Sequence, residues 1–333
     1  MQDMAQAYFP ATHSTLAGDA LLNRILPAYE IGAPRQCKLL QRLLNDTYLV
    51  ETDPGETGHD KYILRVYRAG WRTESDIRYE FDVLHALDQQ GILVATPLPR
   101  RDGEYLCTVP ALEGPRPIVL FAHAAGEPPG FGDTEQMLRY GTMIGQIHTV
   151  TDHFSSPHVR YTLDFDHLLH APVAATLPHL KDADDRRYLV QVVSRLVGKL
   201  TVLPLAALDY GFCHGDTHNG NVHIDNQGSM MLFDFDCCGL GWRAYDLSTF
   251  FWAASWEKAP AQTWTAFLTG YTQQRPLKSI DQAAIPLFAC VRQIWFMGLR
   301  MANGPQWGYV YPGVTQEIKF LRQLEKLCDD AAQ

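Results

Sequence analysis

The stretch 210–247 contains three polar side chains whose types and spacing could do chemistry together: an acid, an amide and a second acid. Asp216 lies in a polar turn, Asn221 follows five residues later, and Asp234 ends a short apolar run. Residues 226–229 are typical of a hairpin turn, because Asn, Gly and Ser cluster there between two alternating apolar segments. The pattern therefore predicts a loop, a short strand, a turn and a second strand, with the three side chains at one end.

This set of side chains is suited to phosphoryl transfer from ATP. A carboxylate can orient an attacking hydroxyl group and accept its proton, which makes Asp216 the candidate catalytic residue. Amide and carboxylate oxygens are hard ligands that Mg²⁺ accepts, which makes Asn221 and Asp234 the candidate metal ligands. Each residue taken by itself is more often an ordinary turn residue, and it is their joint spacing and order that favour the catalytic interpretation.

The same stretch resembles the catalytic and metal-binding loops of the aminoglycoside phosphotransferase and choline kinase-like family. The family pattern His-Gly-Asp-x-x-x-x-Asn, followed by Ile-Asp-Phe-Asp, matches His214-Gly215-Asp216 with Asn221, and then Leu232-Phe233-Asp234-Phe235-Asp236. The homoserine-kinase-like and stress-response-kinase-like branch is the most similar. The resemblance implies that Asp236 contacts a second metal ion and that His214 and Asp246 support the site.

The resemblance also implies a nucleotide site in the first part of the chain. Residues 61–68 alternate as a strand, and the segment Leu-Arg-Val-Tyr within them places Arg65 where the family carries its phosphate-binding lysine; Lys61 is the second choice. Residues 75–89 have the apolar spacing of an amphipathic helix. Glu80 projects from this helix, and by resemblance it pairs with Arg65 and holds it toward the phosphates.

Two further nucleotide contacts follow from the family pattern. The family covers the ATP phosphates with a short turn, and the matching residues here are Asn45, Asp46 and Thr47, in a segment without glycine. Backbone groups near Phe121 and His123 would hydrogen-bond the adenine edge, because this segment matches the hinge of the family.

Candidate residues for an acceptor pocket lie further along the chain. The tail 248–333 has helical patterning and is rich in aromatic residues, most of which a packed helical core explains. Some aromatic faces could instead line a pocket, where they would suit a cationic acceptor. The candidates are Trp242, Glu257, Arg292 and Trp295.

The fold class expected from these elements is α+β, a two-lobed protein-kinase-like fold with a small antiparallel-sheet lobe and a larger, mainly helical lobe. Residues 1–121 form the expected N-terminal nucleotide-binding lobe and residues 122–126 the expected hinge. Residues 127–333 form the expected C-terminal catalytic and acceptor-binding lobe.

Composition narrows the classes of partner. The chain has 333 residues and a formal net charge of −9, which disfavours nucleic acid as a partner. No run reaches the roughly 18 apolar residues that a membrane span requires, and the first residues lack the basic start and apolar segment of a signal peptide. Seven cysteines without a Cys-x-x-Cys pair fit a reducing compartment. We expect a cytoplasmic protein that binds no membrane, and its oligomeric state stays open.

The sequence thus predicts an enzyme that uses ATP and Mg²⁺ to phosphorylate a hydroxyl group of a small molecule. That molecule would be an amino alcohol, a homoserine-like amino acid or an aminoglycoside-like compound. One alternative is a Ser/Thr protein kinase of the stress-response type. A second is a nucleotide-binding pseudokinase, because the phosphate turn lacks glycine and Arg65 replaces the usual lysine.

Overall fold

Two units divide the chain in the computed structural model, which describes residues 11–53, 60–307 and 314–330. The first unit comprises the described residues up to Ile77 together with Thr96–His123. The second comprises Arg78–Ala95 and nearly all the described residues from Ala124 onward. The predicted catalytic loop lies in the second unit, and the strand that carries Arg65 lies in the first.

A five-stranded sheet forms the first unit, with the spatial order β1-β2-β3-β5-β4 and antiparallel neighbours throughout. The strands are β1 (Pro34–Arg42), β2 (Asn45–Thr52), β3 (Lys61–Tyr67), β4 (Cys107–Ala111) and β5 (Gly114–Ala122). A short helix, α1 (Gly18–Arg24), packs on the sheet. Alternate residues of β2 and β3, such as Tyr48 and Leu64, bury their side chains in a core that includes Leu21 and Leu26.

The hairpin turn between β1 and β2 lies at residues 43 and 44, just before the segment that the resemblance assigns to a phosphate turn. Asn45, Asp46 and Thr47 are the first residues of β2, and residues of β1 and β3 pair with them. The Asp46 side chain is fully buried, with its Oδ2 atom 3.0 Å from Nη1 of the equally buried Arg116. This ion pair ties the start of β2 to β5.

Helix α2 (Glu74–Gln89) begins with a reciprocal cap between Thr73 and Asp76. The Thr73 hydroxyl accepts a hydrogen bond from the Asp76 amide, and the Asp76 carboxylate accepts from the Thr73 amide. Further along, Asp82 Oδ2 accepts hydrogen bonds from the Ser156 hydroxyl at 2.5 Å and from His158 Nδ1 at 2.9 Å. The later part of α2 is thereby tied to a loop of the second unit.

The second unit is mainly helical. Its helices are α3 (Thr134–Val150), α4 (Ala171–Thr176), α5 (Ala183–Val202), α6 (Arg243–Trp256), α7 (Ala261–Gln274), α8 (Ser279–Trp307) and α9 (Val314–Asp330). Its strands are β6 (Thr162–Leu163), β7 (Tyr210–Cys213), β8 (Val222–Ile224), β9 (Met230–Leu232) and β10 (Gly239–Trp242). They form a three-stranded sheet, β6-β10-β7, and the hairpin β8-β9. The predicted turn at 226–229 is confirmed, since these residues connect β8 and β9.

Helices α3 and α7 cross at unusually short range. A Cβ atom added to Gly141 would lie 1.8 Å from the Phe267 carbonyl oxygen, and one added to Gly270 would lie 1.8 Å from the Leu138 carbonyl oxygen. Only hydrogen in place of a side chain allows this approach. The contact fixes α3, which carries His148, against α7, which carries Tyr271.

Helix α8 is the long core helix of the second unit. The window Ser279–Gly304 is long and apolar enough to pass a membrane-span test, but 72% of it is buried inside the protein. Burial of this kind is what a core helix shows, and we interpret α8 accordingly.

Candidate active site

Asp216 lies in the loop that joins β7 to β8, and Gly215 sets the path of this loop. Gly215 has a φ of 80°, and a Cβ atom at this position would lie 2.2 Å from the Cys237 carbonyl oxygen. Both the left-handed backbone and the close contact require glycine. The His-Gly-Asp order is therefore a geometric requirement of the loop as well as a sequence pattern.

Asp246, on the first turn of α6, binds the backbone of this loop. Its two carboxylate oxygens accept hydrogen bonds from the backbone amides of His214 at 2.6 Å and Gly215 at 2.7 Å. These two hydrogen bonds connect Asp246 directly to the backbone of the loop. Asp246 lies within the first turn of α6, four residues after Trp242, which occupies the N-cap position.

A third hydrogen bond to Asp246 comes from His148 on α3, whose Nε2 atom lies 3.1 Å from Asp246 Oδ2. The other ring nitrogen, Nδ1, lies 3.0 Å from the Tyr271 hydroxyl. A neutral imidazole that donates from Nε2 and accepts at Nδ1 satisfies both contacts. Burial lowers the pKa of His148 below its ordinary value, and this effect outweighs the opposing influence of Asp246.

We expect His148 to make the protein less stable as pH falls. Its folded-state pKa is lowered, so just below the ordinary value of about 6.5 the unfolded chain binds a proton that the folded chain resists. The free energy of unfolding then falls as pH falls, by up to about 1.4 kcal/mol per pH unit from this group. Urea titrations from pH 5 to 8 should show a flatter dependence for His148→Gln than for wild type. Identical slopes would contradict the assignment.

His214 connects the catalytic loop to the segment that carries Asp234. Its Nε2 atom lies 3.1 Å from the Phe233 carbonyl oxygen, and its Nδ1 atom accepts a hydrogen bond from the Asp216 amide at 3.2 Å. The Phe233 amide in turn donates to the Asn221 carbonyl oxygen at 2.9 Å. One buried imidazole therefore fixes the spacing between the first acid of the motif and the backbone just before the second.

Asn221 and Asp216 are in direct contact. The Asn221 side-chain amide donates to the Asp216 carbonyl oxygen at 2.9 Å and to Asp216 Oδ2 at 3.2 Å. With the amide nitrogen so engaged, the Asn221 side-chain oxygen is the atom suited to a cation. Asp234 follows β9 with a left-handed backbone, φ 63° and ψ 60°, which Asp tolerates better than most residues do.

Asp236 is buried, and its backbone is held by two side chains that the sequence analysis missed. Its carbonyl oxygen accepts hydrogen bonds from Arg160 Nη2 and, at 3.3 Å, from the Tyr161 hydroxyl. Residues 151–208 carry no motif that could have signalled this contact. Across the described residues, no group of three or more His, Cys, Asp and Glu side chains is arranged to hold a metal ion. The predicted ligand set, with Asn221, Asp234 and Asp236, stays a prediction.

Arg292 and Trp295, two of the four predicted acceptor residues, lie at the catalytic loop. Arg292, on α8, donates from Nη2 to Asp216 Oδ1 and from Nη1 to the Gly215 carbonyl oxygen at 3.1 Å. Its guanidinium lies 4.4 Å from the ring centroid of Trp295 and 5.2 Å from that of Trp252. Burial alone raises the pKa of Asp216, but Arg292, with His218 and His214, outweighs it and lowers that pKa below its ordinary value.

The other two predicted acceptor residues lie elsewhere. Trp242 packs in an aromatic cluster with Phe165, Tyr210 and Phe288, at centroid distances of 5.0 to 6.2 Å. Glu257 is exposed at the C-terminal end of α6. Trp242 thus packs as a core residue does, and acceptor contacts of Trp242 and Glu257 stay predictions.

The predicted nucleotide residues divide between the two units. Arg65 on β3 is buried, with its guanidinium 4.7 Å from the Phe121 ring centroid and its Nη1 atom 3.4 Å from the Tyr67 hydroxyl. Glu80 belongs to the second unit and is buried, where its charge acts on Arg160. The Arg65–Glu80 pair, the hinge contacts near Phe121 and His123, and the phosphate contacts of Asn45, Asp46 and Thr47 stay predictions.

Comparison with known proteins decides the family. A sequence model described as the phosphotransferase enzyme family matches residues 37–277. The chain belongs to this family. The match includes all the residues of the catalytic loop, its support at Asp246, and the strand that carries Arg65.

Named relatives of this phosphotransferase are kinases. It is 27% identical over 252 residues to the amicoumacin kinase of Bacillus subtilis, covering 72% of this chain and 73% of that protein. It is 27% identical over 314 residues to the homoserine kinase of Caulobacter vibrioides, covering 90% and 91% of the two chains. The solved structure of a microcompartment-associated aminopropanol kinase matches with a TM-score of 0.76 and 25% identity, covering 91% of this chain and 94% of that one.

These matches confirm three predictions from the sequence. The family and its likeness to homoserine kinases are correct. The α+β protein-kinase-like fold class is correct. The protein is an enzyme of the kinase type.

Proposed function

We propose that this phosphotransferase moves the γ-phosphoryl group of ATP to a hydroxyl group of a small acceptor that also carries an amine. The observation that carries the proposal is the single hydrogen-bonded loop in which Asp216 contacts Asn221 and in which His214 connects Asp216 to the backbone before Asp234. Homoserine and aminopropanol, named in two of the related kinases, both combine an amine with a hydroxyl group. The net charge of −9 also suits a cationic acceptor.

In this mechanism the protein mainly positions groups. Asp216 orients the acceptor hydroxyl and receives its proton, while the hydrogen bond from the Asn221 side chain helps to hold the carboxylate in place. Asn221 and Asp234, with Asp236 nearby in sequence, would hold Mg²⁺, since their oxygens are of the kind that this ion prefers. Bound Mg²⁺ would neutralise charge that develops on the transferred phosphoryl group. Arg65, held by Glu80, would align the phosphates.

The test is ADP release from Mg²⁺ and ATP across a panel of acceptors: amino acids, amino alcohols, sugars, aminoglycosides and a generic protein substrate. Turnover with an amine-bearing small molecule, lost in Asp216→Asn, supports the proposal. Turnover with only the protein substrate favours the stress-response alternative. Nucleotide binding with no turnover on any acceptor, and no phosphorylation of the protein itself, favours the pseudokinase.

We expect Asp234→Asn to weaken metal-dependent nucleotide binding by about 10-fold or more, because the variant loses a charged oxygen ligand but keeps a residue that tolerates the left-handed backbone. The measurement is the Kd for an ATP analogue, from calorimetric titrations at several fixed concentrations of Mg²⁺. Asp184→Asn is the matched control, since Asp184 is an exposed carboxylate that pairs with Arg187 on the surface of α5. An Mg²⁺ dependence for Asp234→Asn identical to that of the control would remove Asp234 from the metal site.

A further inference from the structure

Arg292 is a buried charge to which the proposed phosphoryl transfer gives no direct role. The residue is 2% exposed, and a charge so far from water costs several kcal/mol unless it is paired and hydrogen-bonded. Its guanidinium lies over the ring of Trp252, from α6, and over the ring of Trp295, from its own helix. Trp295 is fixed in turn by a hydrogen bond from its indole nitrogen to His167 Nε2 at 3.3 Å. Two aromatic faces therefore hold the plane of the guanidinium in one orientation.

That orientation directs both terminal nitrogens of Arg292 at the catalytic loop. Nη1 donates to the Gly215 carbonyl oxygen at 3.1 Å, and Nη2 donates to Asp216 Oδ1. The second carboxylate oxygen, Oδ2, receives the Asn221 amide at 3.2 Å and lies 3.6 Å from His218 Nε2. The two oxygens of Asp216 are thus distinguished: Oδ1 is engaged from inside the protein, and Oδ2 from residues of the loop.

Exposure shows which of the two charged groups an acceptor can reach. The Asp216 side chain is 19% exposed, whereas the Arg292 side chain is 3% exposed. An acceptor can therefore contact the carboxylate, while the guanidinium is buried. The expected contact between Arg292 and an acceptor stays a prediction.

We propose that Arg292 is a positioning residue that fixes the orientation of the Asp216 carboxylate toward the acceptor hydroxyl group. This inference rests on the proposed function of Asp216. The Arg292 contact comes from helix α8, whereas the Asn221 and His218 contacts come from the loop itself. Arg292 therefore ties the carboxylate to a core helix of the second unit.

The experiment compares Arg292→Met with Arg300→Met in the full-length protein. Arg300 is a matched control on the same helix, with an ion pair to Glu317 at 3.2 Å and a ring contact with Phe296 at 5.0 Å. We expect Arg292→Met to lower kcat by about 10²-fold, because a misplaced catalytic group costs about that much. The Kd for nucleotide should change little, since the carboxylate that Arg292 positions is not a predicted metal ligand. Arg300→Met should leave kcat near its wild-type value.

Arg292→Lys covers the case in which the methionine variant does not fold. Lysine keeps the charge but not the planar fork, so we expect partial rescue, with a kcat lower by about 10-fold and an unchanged Kd for nucleotide. Full kcat in Arg292→Lys, or a kcat near the wild-type value in a folded Arg292→Met, would overturn the inference. Asp216→Asn separates the catalytic role of Asp216 from the positioning role of Arg292. If Asp216→Asn stays active, the proposed function fails. If it is inactive while the Arg292 variants behave as wild type, only the positioning role fails.

Discussion

Asp216→Asn lowers kcat for phosphoryl transfer by about 10²–10⁴-fold, because asparagine keeps the shape of the side chain but cannot accept the proton of the attacking hydroxyl group. We expect the Kd for nucleotide to change little, since Asp216 is not among the predicted metal ligands. Steady-state ADP release with saturating acceptor, together with calorimetric nucleotide binding, measures the two quantities separately.

The same variant should also be less stable, because it removes the negative charge that pairs with Arg292. Asparagine leaves the guanidinium of Arg292 buried without its carboxylate, and breaking a buried pair in this way costs about 3–5 kcal/mol. Rates must therefore be compared per folded molecule, with the folded fraction taken from circular dichroism and urea unfolding. Asp184→Asn is the control for loss of a carboxylate, and kcat near the wild-type value in folded Asp216→Asn would refute the catalytic assignment.

Asp246→Ala should strongly lower the stability of the protein. Its carboxylate accepts three buried hydrogen bonds, from the amides of His214 and Gly215 and from His148. Alanine leaves all three donors unsatisfied, and at about 1–3 kcal/mol per donor we expect the free energy of unfolding to fall by roughly 3–5 kcal/mol. Activity should fall with it, because the same amides set the position of Asp216.

Equilibrium urea unfolding of Asp246→Ala measures the loss, and Asp246→Asn tests its origin. Asparagine can accept the two amide hydrogen bonds only in part, since one of its two terminal atoms is a donor. It should therefore lie between alanine and wild type in stability. A loss below about 1 kcal/mol in Asp246→Ala would be closer to the effect of a surface substitution than to the loss of three buried hydrogen bonds. It would mean that the three contacts do not support the loop.

The sequence was most informative where function and local structure coincide in one segment. The loop with Asp216 and Asn221 and the hairpin before Asp234 are contiguous, so pattern alone located them. Helix α2 was predicted over residues 75–89 and is observed at Glu74–Gln89, because its apolar spacing is regular.

Contacts between distant residues account for what the sequence could not provide. The buried pairing of Asp46 with Arg116 joins the start of β2 to β5, and no residue near Asp46 in sequence signals it. Arg160 lies 76 residues from Asp236 in sequence, and Arg292 lies 76 residues from Asp216. The sequence could nominate Arg292 as a residue of the site but could not show that its burial directs it at the protein's own carboxylate.

The crossing of α3 and α7 limits how parts of this enzyme can be exchanged with those of its relatives. At Gly141 and Gly270 the backbone of each helix occupies the space where a side chain of the other would begin. A chimera that takes α3 from one kinase and α7 from another fits only if both parents leave this space empty. His148 lies on α3 and Tyr271 on α7, so moving the two helices apart would also break the hydrogen bond from His148 to Asp246. Helices α3 and α7 should therefore be transplanted together as one block, and recombination breakpoints placed between them should yield inactive proteins.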